Sequence, residues 1–333
     1  MSLPRALLLL VLCLFGAIAL AALRKDKGDA PSSAILLEAP TELVFSQAEE
    51  KKAEIMEESF STEEISEETK QVRNEELPYA NRIDEFFNLG DYKFPIVETI
   101  SYSSRVDWLK GRPAWVADYA SHFRTSRHFI ARSLNGNTDY FRQNVSNGDR
   151  FNVLRDDKDF HFHLLIDLSR AKMWFYFIDD ETSEVTLVKV YDVGLGRLNE
   201  GKISGSLTPI GQYSLGDRIA IYKPKMMGQF NNERVEMMRV FGTRWIPFDR
   251  EIKGTTAPAK GFGLHGAPWN YNEATNQLEE DRDTIGKNES DGCIRLKSED
   301  IEELFAIIIS RSTIVEIVKD FYDAELSGNR AKI

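Results

Sequence analysis

The pattern of hydrophobic and polar positions divides the chain into successive segments. Residues 6–23 are an unbroken apolar run, and residues 46–76 are acidic with only scattered apolar positions. Apolar residues at helical spacing return after residue 78, and strand-like runs of β-branched and aromatic residues dominate from Phe160 onward. The pattern predicts an export segment at 1–27, an acidic linker at 28–77, a small α/β module at 78–157, a mainly β domain at 158–322 and a C-terminal tail at 323–333.

The N-terminal run predicts export of the rest of the chain. It begins after Arg5, ends at Arg24, and carries small residues at Ala17, Ala19 and Ala21, where a signal peptidase would cut. The same run would span a membrane if it stayed uncut, since a spanning helix needs roughly 17–25 residues. A cleaved signal peptide and an N-terminal membrane anchor therefore both remain open. The acidic linker cannot bury enough surface to form a domain, and we interpret it as a spacer.

Two helices and a closing strand are predicted between residues 78 and 157. Helical spacing of apolar residues predicts a first helix from Trp115, Val116, Tyr119, Ala120 and Phe123, and a second from Phe129, Ile130 and Leu134. Ser126 would cap the second helix, and Asn135-Gly136 would end it. A turn at Asn147-Gly148-Asp149 then leads into a short strand over 150–154.

This strand–helix–helix–strand unit resembles the LysM module, which binds the glycan chains of peptidoglycan or chitin. The residues that carry the resemblance are Tyr119-Ala120, Phe123, Ile130, Asn135 and Gly148-Asp149. The usual Gly-Asp-Thr-Leu opening of that module is replaced here by Gly111-Arg-Pro-Ala. The resemblance implies glycan strands as a further partner, and the alternative is a small α/β packing domain without a ligand.

The first half of the β domain is predicted from its aromatic and β-branched runs. Strands are expected at 161–169, 171–179 and 184–196, with Asp167 to Lys172 joining the first two as a hairpin. The run Thr208-Pro209-Ile210-Gly211 is typical of a turn and is expected to lead into another strand. We expect Trp245 and Phe248 in the core, and a long loop over 223–240 that covers substrate.

The second half contains two strand ends that carry chemistry. One strand is expected to end at His265, and another to start around Gly292-Cys293. A helix over 298–310 follows, with Ser298 as N-cap and apolar residues along one face, and a strand over 312–320 closes the domain. The pattern therefore predicts that two neighbouring strands present a histidine and a cysteine to a common cleft.

Charge and cysteine content narrow the function. The chain has 53 acidic and 42 basic residues and a net charge of −11, which argues against nucleic acid as a partner. The two cysteines are Cys13, within the N-terminal run, and Cys293. An exported protein that used cysteine for stability would carry pairs, so a lone thiol at Cys293 indicates a chemical role rather than a disulfide.

A thiol and an imidazole together make a nucleophile. The thiol of Cys293 is protonated at neutral pH, and His265 could take its proton to form a thiolate–imidazolium pair. Gly266 offers no side chain, so a backbone carbonyl would have to orient the imidazole. Gly292 permits close backbone approach, and the N–H groups around it could form an oxyanion hole. Arg295 would attract a substrate carboxylate or brace the loop.

These residues resemble the L,D-transpeptidase catalytic domain of the YkuD family over about 160 to 320. The motifs that match are Thr208-Pro209-Ile210-Gly211, Leu264-His265-Gly266, Ile285-Gly286 and Ser290-Asp291-Gly292-Cys293-Ile294-Arg295. The resemblance implies a mainly β catalytic domain, an L,D-transpeptidase-like β-sandwich with one or two helices, and a bacterial enzyme of the cell envelope. It also implies Cys293 and His265 as the catalytic pair and Ser290 and Arg295 as substrate-binding residues.

The resemblance implies a reaction on peptidoglycan stem peptides without a cofactor. Cys293 would attack the carbonyl of the third residue, release the terminal D-alanine, and pass the acyl group to an amine of a second stem. Transfer to water instead would make the protein an L,D-carboxypeptidase or a hydrolase that detaches wall-anchored protein. The remaining alternative is a non-enzymatic wall-binding protein. Membrane contact would occur only through the N-terminal segment.

Departures from the family pattern indicate where this chain differs. Asp291 stands where many members carry a histidine or a basic residue, and we expect it to point away from the thiol. The spacing from His265 to Ser290 is longer than usual, and the acidic residues from Tyr271 to Asp283 are expected to form a cap that sets specificity. His161 and His163 would share one face of a strand, but a third metal ligand at suitable spacing is missing, so no metal site is expected.

Overall fold

The structure is a computed structural model, and it describes residues 77–326. The predicted export segment at 1–27 and the acidic linker up to residue 76 lie outside the described residues, as does the end of the predicted tail. Between residues 77 and 326, no helix is both long enough and apolar enough to cross a membrane.

The described elements alternate short helices with many strands. The helices are α1 (Asp84–Phe87), α2 (Val116–His122), α3 (Arg127–Asn135), α4 (Met238–Phe241) and α5 (Ser298–Ile308). The strands are β1 (Val97–Ser101), β2 (Arg150–Leu154), β3 (Phe160–Asp167), β4 (Lys172–Asp179), β5 (Val185–Asp192), β6 (Leu195–Gly196), β7 (Gly211–Leu215), β8 (Ala220–Ile221), β9 (Met227–Phe230), β10 (Glu233–Glu236), β11 (Arg244–Lys253), β12 (Gly263–Gly266), β13 (Trp269–Asn272), β14 (Gln277–Glu280), β15 (Asn288–Ser290), β16 (Ile294–Leu296) and β17 (Thr313–Val318).

In the N-terminal module, the predicted order of strand, two helices and strand is confirmed. β1 pairs antiparallel with β2, and α2 and α3 lie between them in the chain. The Ser126 hydroxyl caps α3 by accepting the N–H groups of His128 and Phe129, and Gly136 ends it with a φ of 75°. One detail was wrong: Trp115 does not join the buried helix face, because it precedes α2 and is 58% exposed.

The module has a small core of its own and also shares the main core. Tyr119, Ile130 and Phe151 lie in the small core. Phe86 belongs instead to the main core, where its ring stacks on Phe175 of β4 with centroids 6.3 Å apart. The module is therefore packed against the β domain rather than tethered to it by a linker.

The main sheet runs in the order β16-β12-β11-β7-β17-β3-β4-β5, with β8 also pairing with β11. The long strand β11 joins the two halves of the main sheet. Its residue Trp245 pairs with His265 of β12 on one side, while Phe248 pairs with Leu215 of β7 on the other. Register shifts in the second half of β11 mark bulges, which bend a strand and increase its twist. The main core contains residues from both halves of the sheet, so the prediction of a mainly β domain is confirmed.

The predicted hairpin between β3 and β4 is confirmed, and its turn is held by one carboxylate. Asp167 pairs with Lys172 across the strands, and its Oδ1 accepts the N–H groups of Ser169 and Arg170.

His161 and His163 each face a separate carboxylate: His161 Nδ1 lies 2.6 Å from Asp180, and His163 Nε2 lies 2.9 Å from Glu316.

Two sequence expectations were wrong in this domain. The stretch 223–240 is not a loop without structure, because it contains the antiparallel hairpin β9–β10 and leads into α4. Ser298 is not the N-cap of α5: the N-cap is Lys297, and no side chain of that residue caps the helix. The N–H of Ser298 donates instead to the carboxylate of Glu280, which reaches it from β14.

Candidate active site

The pairing of β12 with β16 brings His265 and Cys293 to one face of the sheet. The strands are parallel, with Leu264 opposite Ile294 and both side chains fully buried in the main core. Side chains alternate along a strand, so His265 and Cys293 project on the opposite face from that core. The pairing confirms that the strand containing His265 neighbours the strand that starts after Cys293, although β16 itself begins at Ile294.

A second apolar cluster lines the face that carries both groups. Its buried members are Ala220, Tyr222, Met237, Met238, Phe241 and Trp245, and Cys293 packs against it. The imidazole of His265 meets the ring of Phe241 edge-on, with centroids 5.4 Å apart. Thiol and imidazole therefore border the same water-poor region.

The imidazole of His265 is oriented by a backbone carbonyl, as expected from the absence of a side chain at Gly266. Its Nδ1 lies 2.7 Å from the carbonyl oxygen of Gly266. Because the carbonyl can only accept, Nδ1 carries the hydrogen and Nε2 keeps the lone pair. Burial and then the charge of Arg295 lower the pKa of His265 to about 3, against the hydrogen bond to Gly266, which raises it.

The thiol of Cys293 is also held in its neutral form. Its Sγ lies 3.6 Å from the carbonyl oxygen of Gly261 and donates to it. Burial raises the pKa of Cys293 to about 12, although the N–H of Gly263 and the charge of Arg295 act in the opposite direction. Burial thus favours the neutral forms of both the thiol and the imidazole.

The turn that carries Cys293 is closed by the hydroxyl of Ser290. This hydroxyl accepts the N–H of Gly292 at 3.1 Å and donates to the carbonyl of Cys293 at 2.7 Å. Ser290 is only 2% exposed, so its side chain braces the turn instead of facing a substrate. The Gly292 N–H, which we expected in an oxyanion hole, is used by Ser290 in this structure.

The buried residue Thr208 holds the same turn from outside. Its hydroxyl accepts the N–H of Gly196 at 2.7 Å and donates to the carbonyl of Gly292 at 3.0 Å. The sequence analysis placed Thr208 in a turn and in a motif of the family resemblance, but it missed this bracing role. Thr208 is fully buried, and a buried hydroxyl needs hydrogen-bond partners, but this burial is visible only in the structure.

Gly292 is required by both conformation and space. Its φ is 116°, which side chains rarely adopt, and a Cβ there would meet the ring of Phe262 at 2.5 Å. At Gly266 a Cβ would lie 3.0 Å from the backbone nitrogen of Thr243. The expectation of close backbone approach at Gly292 is confirmed.

Arg295 and Asp291 lie on different sides of the thiol. Arg295 is two residues beyond Cys293 on the same strand face, and its Nε is buried without a hydrogen-bond partner among residues 77–326. The side chain of Asp291 is 78% exposed and forms an ion pair with Arg197. Asp291 thus points into solvent, as expected, while Arg295 keeps donor capacity near the thiol.

The hairpin β13–β14 and the segment around α4 contact each other beside the site. The hydroxyl of Tyr271 lies 3.3 Å from a carboxylate oxygen of Glu236. The guanidinium of Arg239 lies 5.8 Å from the centre of the Tyr271 ring. Trp269 at the base of the hairpin packs against the cluster that covers Cys293. The acidic stretch from Tyr271 therefore borders the site, where the sequence predicted a cap.

Most of this domain matches one known family. Residues 161–317 match the family described as YkuD, the L,D-transpeptidase catalytic domain. No curated protein matches the chain. Among solved structures, it is similar to Bd1075 of Bdellovibrio bacteriovorus, with 16% identity, a TM-score of 0.31 and 48% of each chain covered. It is also similar to the helical cell shape determining protein Pgp2 of Campylobacter jejuni, with 18% identity, a TM-score of 0.31 and 49% of each chain covered. The chain thus spans about half the length of these structures.

Proposed function

Residues 161–317 are a YkuD-family L,D-transpeptidase catalytic domain, and from this premise we propose that the protein cross-links peptidoglycan through a cysteine acyl-enzyme. The observation that carries the proposal is the pairing of β12 with β16, which puts His265 and Cys293 on one covered face of the sheet. We propose Cys293 as nucleophile, His265 as base and acid, and the bacterial cell envelope as the place of action.

In the first half-reaction, a stem tetrapeptide would be cut at its last peptide bond. Nε2 of His265 takes the proton of the Cys293 thiol as sulfur attacks the carbonyl carbon of the third residue. The tetrahedral intermediate then collapses, the C–N bond breaks, and the imidazolium returns the proton to the departing amine of D-alanine. The product is a thioester on Cys293. Burial favours the neutral thiol and imidazole, so we propose that the proton transfer accompanies the attack.

In the second half-reaction, an amine from another stem would attack the thioester. His265 takes a proton from that amine, the C–S bond breaks, and the thiol regains a proton as the new amide forms. The unpaired Nε of Arg295 is suited to hold a substrate carboxylate near the thioester. Gly292, Ser290 and Gly266 are proposed to keep the backbone in place around these steps.

The test is incubation of the purified protein with tetrapeptide muropeptides, followed by mass analysis of the products. Cross-linked dimers are expected from the unaltered protein and none from Cys293→Ala. Tripeptides without dimers would make it an L,D-carboxypeptidase. Absence of any turnover, together with a thiol that fails to react with alkylating agents even when stem peptide is present, would indicate a non-enzymatic wall-binding protein. Full activity of Cys293→Ala would refute the site itself.

A further inference from the structure

A surface cleft separate from the thiol lies between the N-terminal module and the β domain. It has a volume of about 580 Å³ and is lined by the loop from Asn135 to Asn144 and by Lys223. Lys223 directly follows Tyr222, a member of the apolar cluster that packs against Cys293. One lining residue of the cleft is therefore the chain neighbour of a member of that cluster.

The charges at this cleft favour an anionic ligand. The one carboxylate in its lining, Asp139, is already engaged, since its Oδ1 accepts a hydrogen bond from the guanidinium of Arg244 at 2.7 Å. Arg142 and Lys223 form no close ion pair with any residue from 77 to 326, although Lys223 interacts electrostatically with the carboxylate of Asp139. In a chain with a net charge of −11, two unpaired cations at one cleft make a local positive field that attracts carboxylates.

The remaining lining favours a peptide. The side-chain amides of Asn137 and Asn144 make no hydrogen bond within the described part of the chain, and both residues are exposed. An amide side chain both donates and accepts, which matches the N–H and C=O groups of a peptide backbone. Phe141 is 46% exposed and supplies an apolar surface, with the Lys223 ammonium 4.0 Å from its ring centre. An uncharged sugar chain would leave both cations without a carboxylate from the ligand.

We propose that this cleft binds a carboxylate-bearing peptide, namely a stem peptide held outside the catalytic cleft. The identity of the peptide rests on the proposed function, whereas the cleft's preference for carboxylate and amide groups rests on Arg142, Lys223, Asn137 and Asn144. In this role the cleft holds a second stem peptide outside the catalytic cleft. None of these residues belongs to the proposed Cys293–His265 machinery.

The experiment is calorimetric titration of the full chain carrying Cys293→Ala, which prevents turnover. The probes are a free stem tetrapeptide, the same peptide with its carboxylates amidated, and a peptide-free disaccharide of the wall. The test variant adds R142Q and K223Q. The matched control adds K202Q and K319Q, which remove the same charge from exposed lysines elsewhere.

We expect R142Q/K223Q to weaken binding of the tetrapeptide at least tenfold, and K202Q/K319Q to leave it unchanged. Amidation of the peptide should weaken binding to a similar degree, and added salt should do so for the parent but less for the test variant. Unchanged affinity in R142Q/K223Q, no tetrapeptide binding, or equal binding of the disaccharide would each overturn the proposal. Turnover by the unaltered protein is measured separately, so a failure of the cleft is distinguishable from a failure of the proposed reaction.

Discussion

The two sides of the candidate site are held in different ways. His265 lies in a strand paired on both sides, with Trp245 of β11 opposite it, and a backbone carbonyl fixes its ring. Cys293 lies at the end of a turn whose shape depends on the hydroxyls of Ser290 and Thr208. The proposed base is thus positioned by the sheet, whereas the proposed nucleophile is positioned by a few side chains. Substitutions that spare the fold should therefore disturb the nucleophile side first.

The largest loss of activity is expected from substitution of His265, the proposed base. His265→Gln keeps a polar side chain next to Gly266 but cannot take the thiol proton. Loss of a general base typically costs a factor of about 10²–10⁴ in rate, so kcat/KM for tetrapeptide should fall by that amount. The thermal midpoint of the variant, measured in parallel, should stay close to that of the unaltered protein. A variant that retained more than a tenth of the activity would exclude His265 as the base.

Removing one hydroxyl should test the nucleophile side. Thr208→Val keeps the shape of the side chain but leaves the N–H of Gly196 and the carbonyl of Gly292 without a partner. Leaving buried polar groups unsatisfied costs about 1–3 kcal/mol, which denaturant unfolding would measure. The rate of thioester formation should fall as well, because the Cys293 turn loses its outer support. Thr208→Ser is the matched control and should retain both properties; equal losses in the two variants would argue against the hydroxyl.

The pH dependence of stability should report the two sides separately. The pKa of His265 is about 3 in the folded chain against an ordinary 6.5, so the unfolded chain binds more protons between these values. The stability contributed by neutral His265 is present above pH 6.5 and is lost as the pH falls toward 3. The pKa of Cys293 is raised from 9.0 to about 12, so its contribution is present below pH 9.0 and is lost as the pH rises toward 12.

Urea unfolding across this range provides the measurement. His265→Gln should flatten the acid side of the stability profile only, and Cys293→Ala the alkaline side only. Superimposable profiles of the unaltered protein and both variants would show that neither group is held neutral by burial.

The smallest effect on activity is expected from substitution of Glu280, which lies outside the proposed Cys293–His265 pair. Glu280 accepts the N–H of Ser298 at the start of α5, in the place of a local cap. Loss of a helix cap costs about 1 kcal/mol, so Glu280→Ala should lower the unfolding free energy by that amount while leaving the rate of thiol acylation intact. Glu279→Ala, on the neighbouring and exposed position of β14, is the control. A large loss of activity in Glu280→Ala would instead link the hairpin β13–β14 to the chemistry.

Local sequence predicted the elements whose structure is decided locally. Continuous aromatic and β-branched runs specify β3, β4 and β5, and Asp167 closes the first hairpin with its own turn. Ser126 and Gly136 mark the two ends of α3 because each acts on the backbone next to it. His265 and Cys293 were accessible for the same reason, since a lone thiol and a histidine at strand ends are visible without knowledge of the fold.

Long-range partners explain what the sequence did not reveal. Glu280 binds the start of α5 from a different strand, so Ser298 looked like the cap. Thr208 reaches Gly292 across 84 positions, and no local pattern records that contact. The raised pKa of Cys293 depends on burial, and this residue packs against the second apolar cluster, which draws on residues from β8 to β13. The β9–β10 hairpin was missed because its strands are short and mostly exposed.

The carbonyl of Gly266 gives the site a property that concerns its tolerance to mutation. The group that sets the tautomer of His265 belongs to the main chain, so a change of side chain cannot delete it. A substitution can therefore remove His265, the proposed base, or distort β12. It cannot remove the carbonyl oxygen of Gly266 that orients the imidazole. The same arrangement also limits how the orientation of His265 can change by mutation. Where a carboxylate side chain orients a histidine, that side chain can be substituted, but a backbone carbonyl cannot. Variation among descendants of this chain should accordingly accumulate around the nucleophile turn and the flanking hairpins, while the setting of the base stays constant.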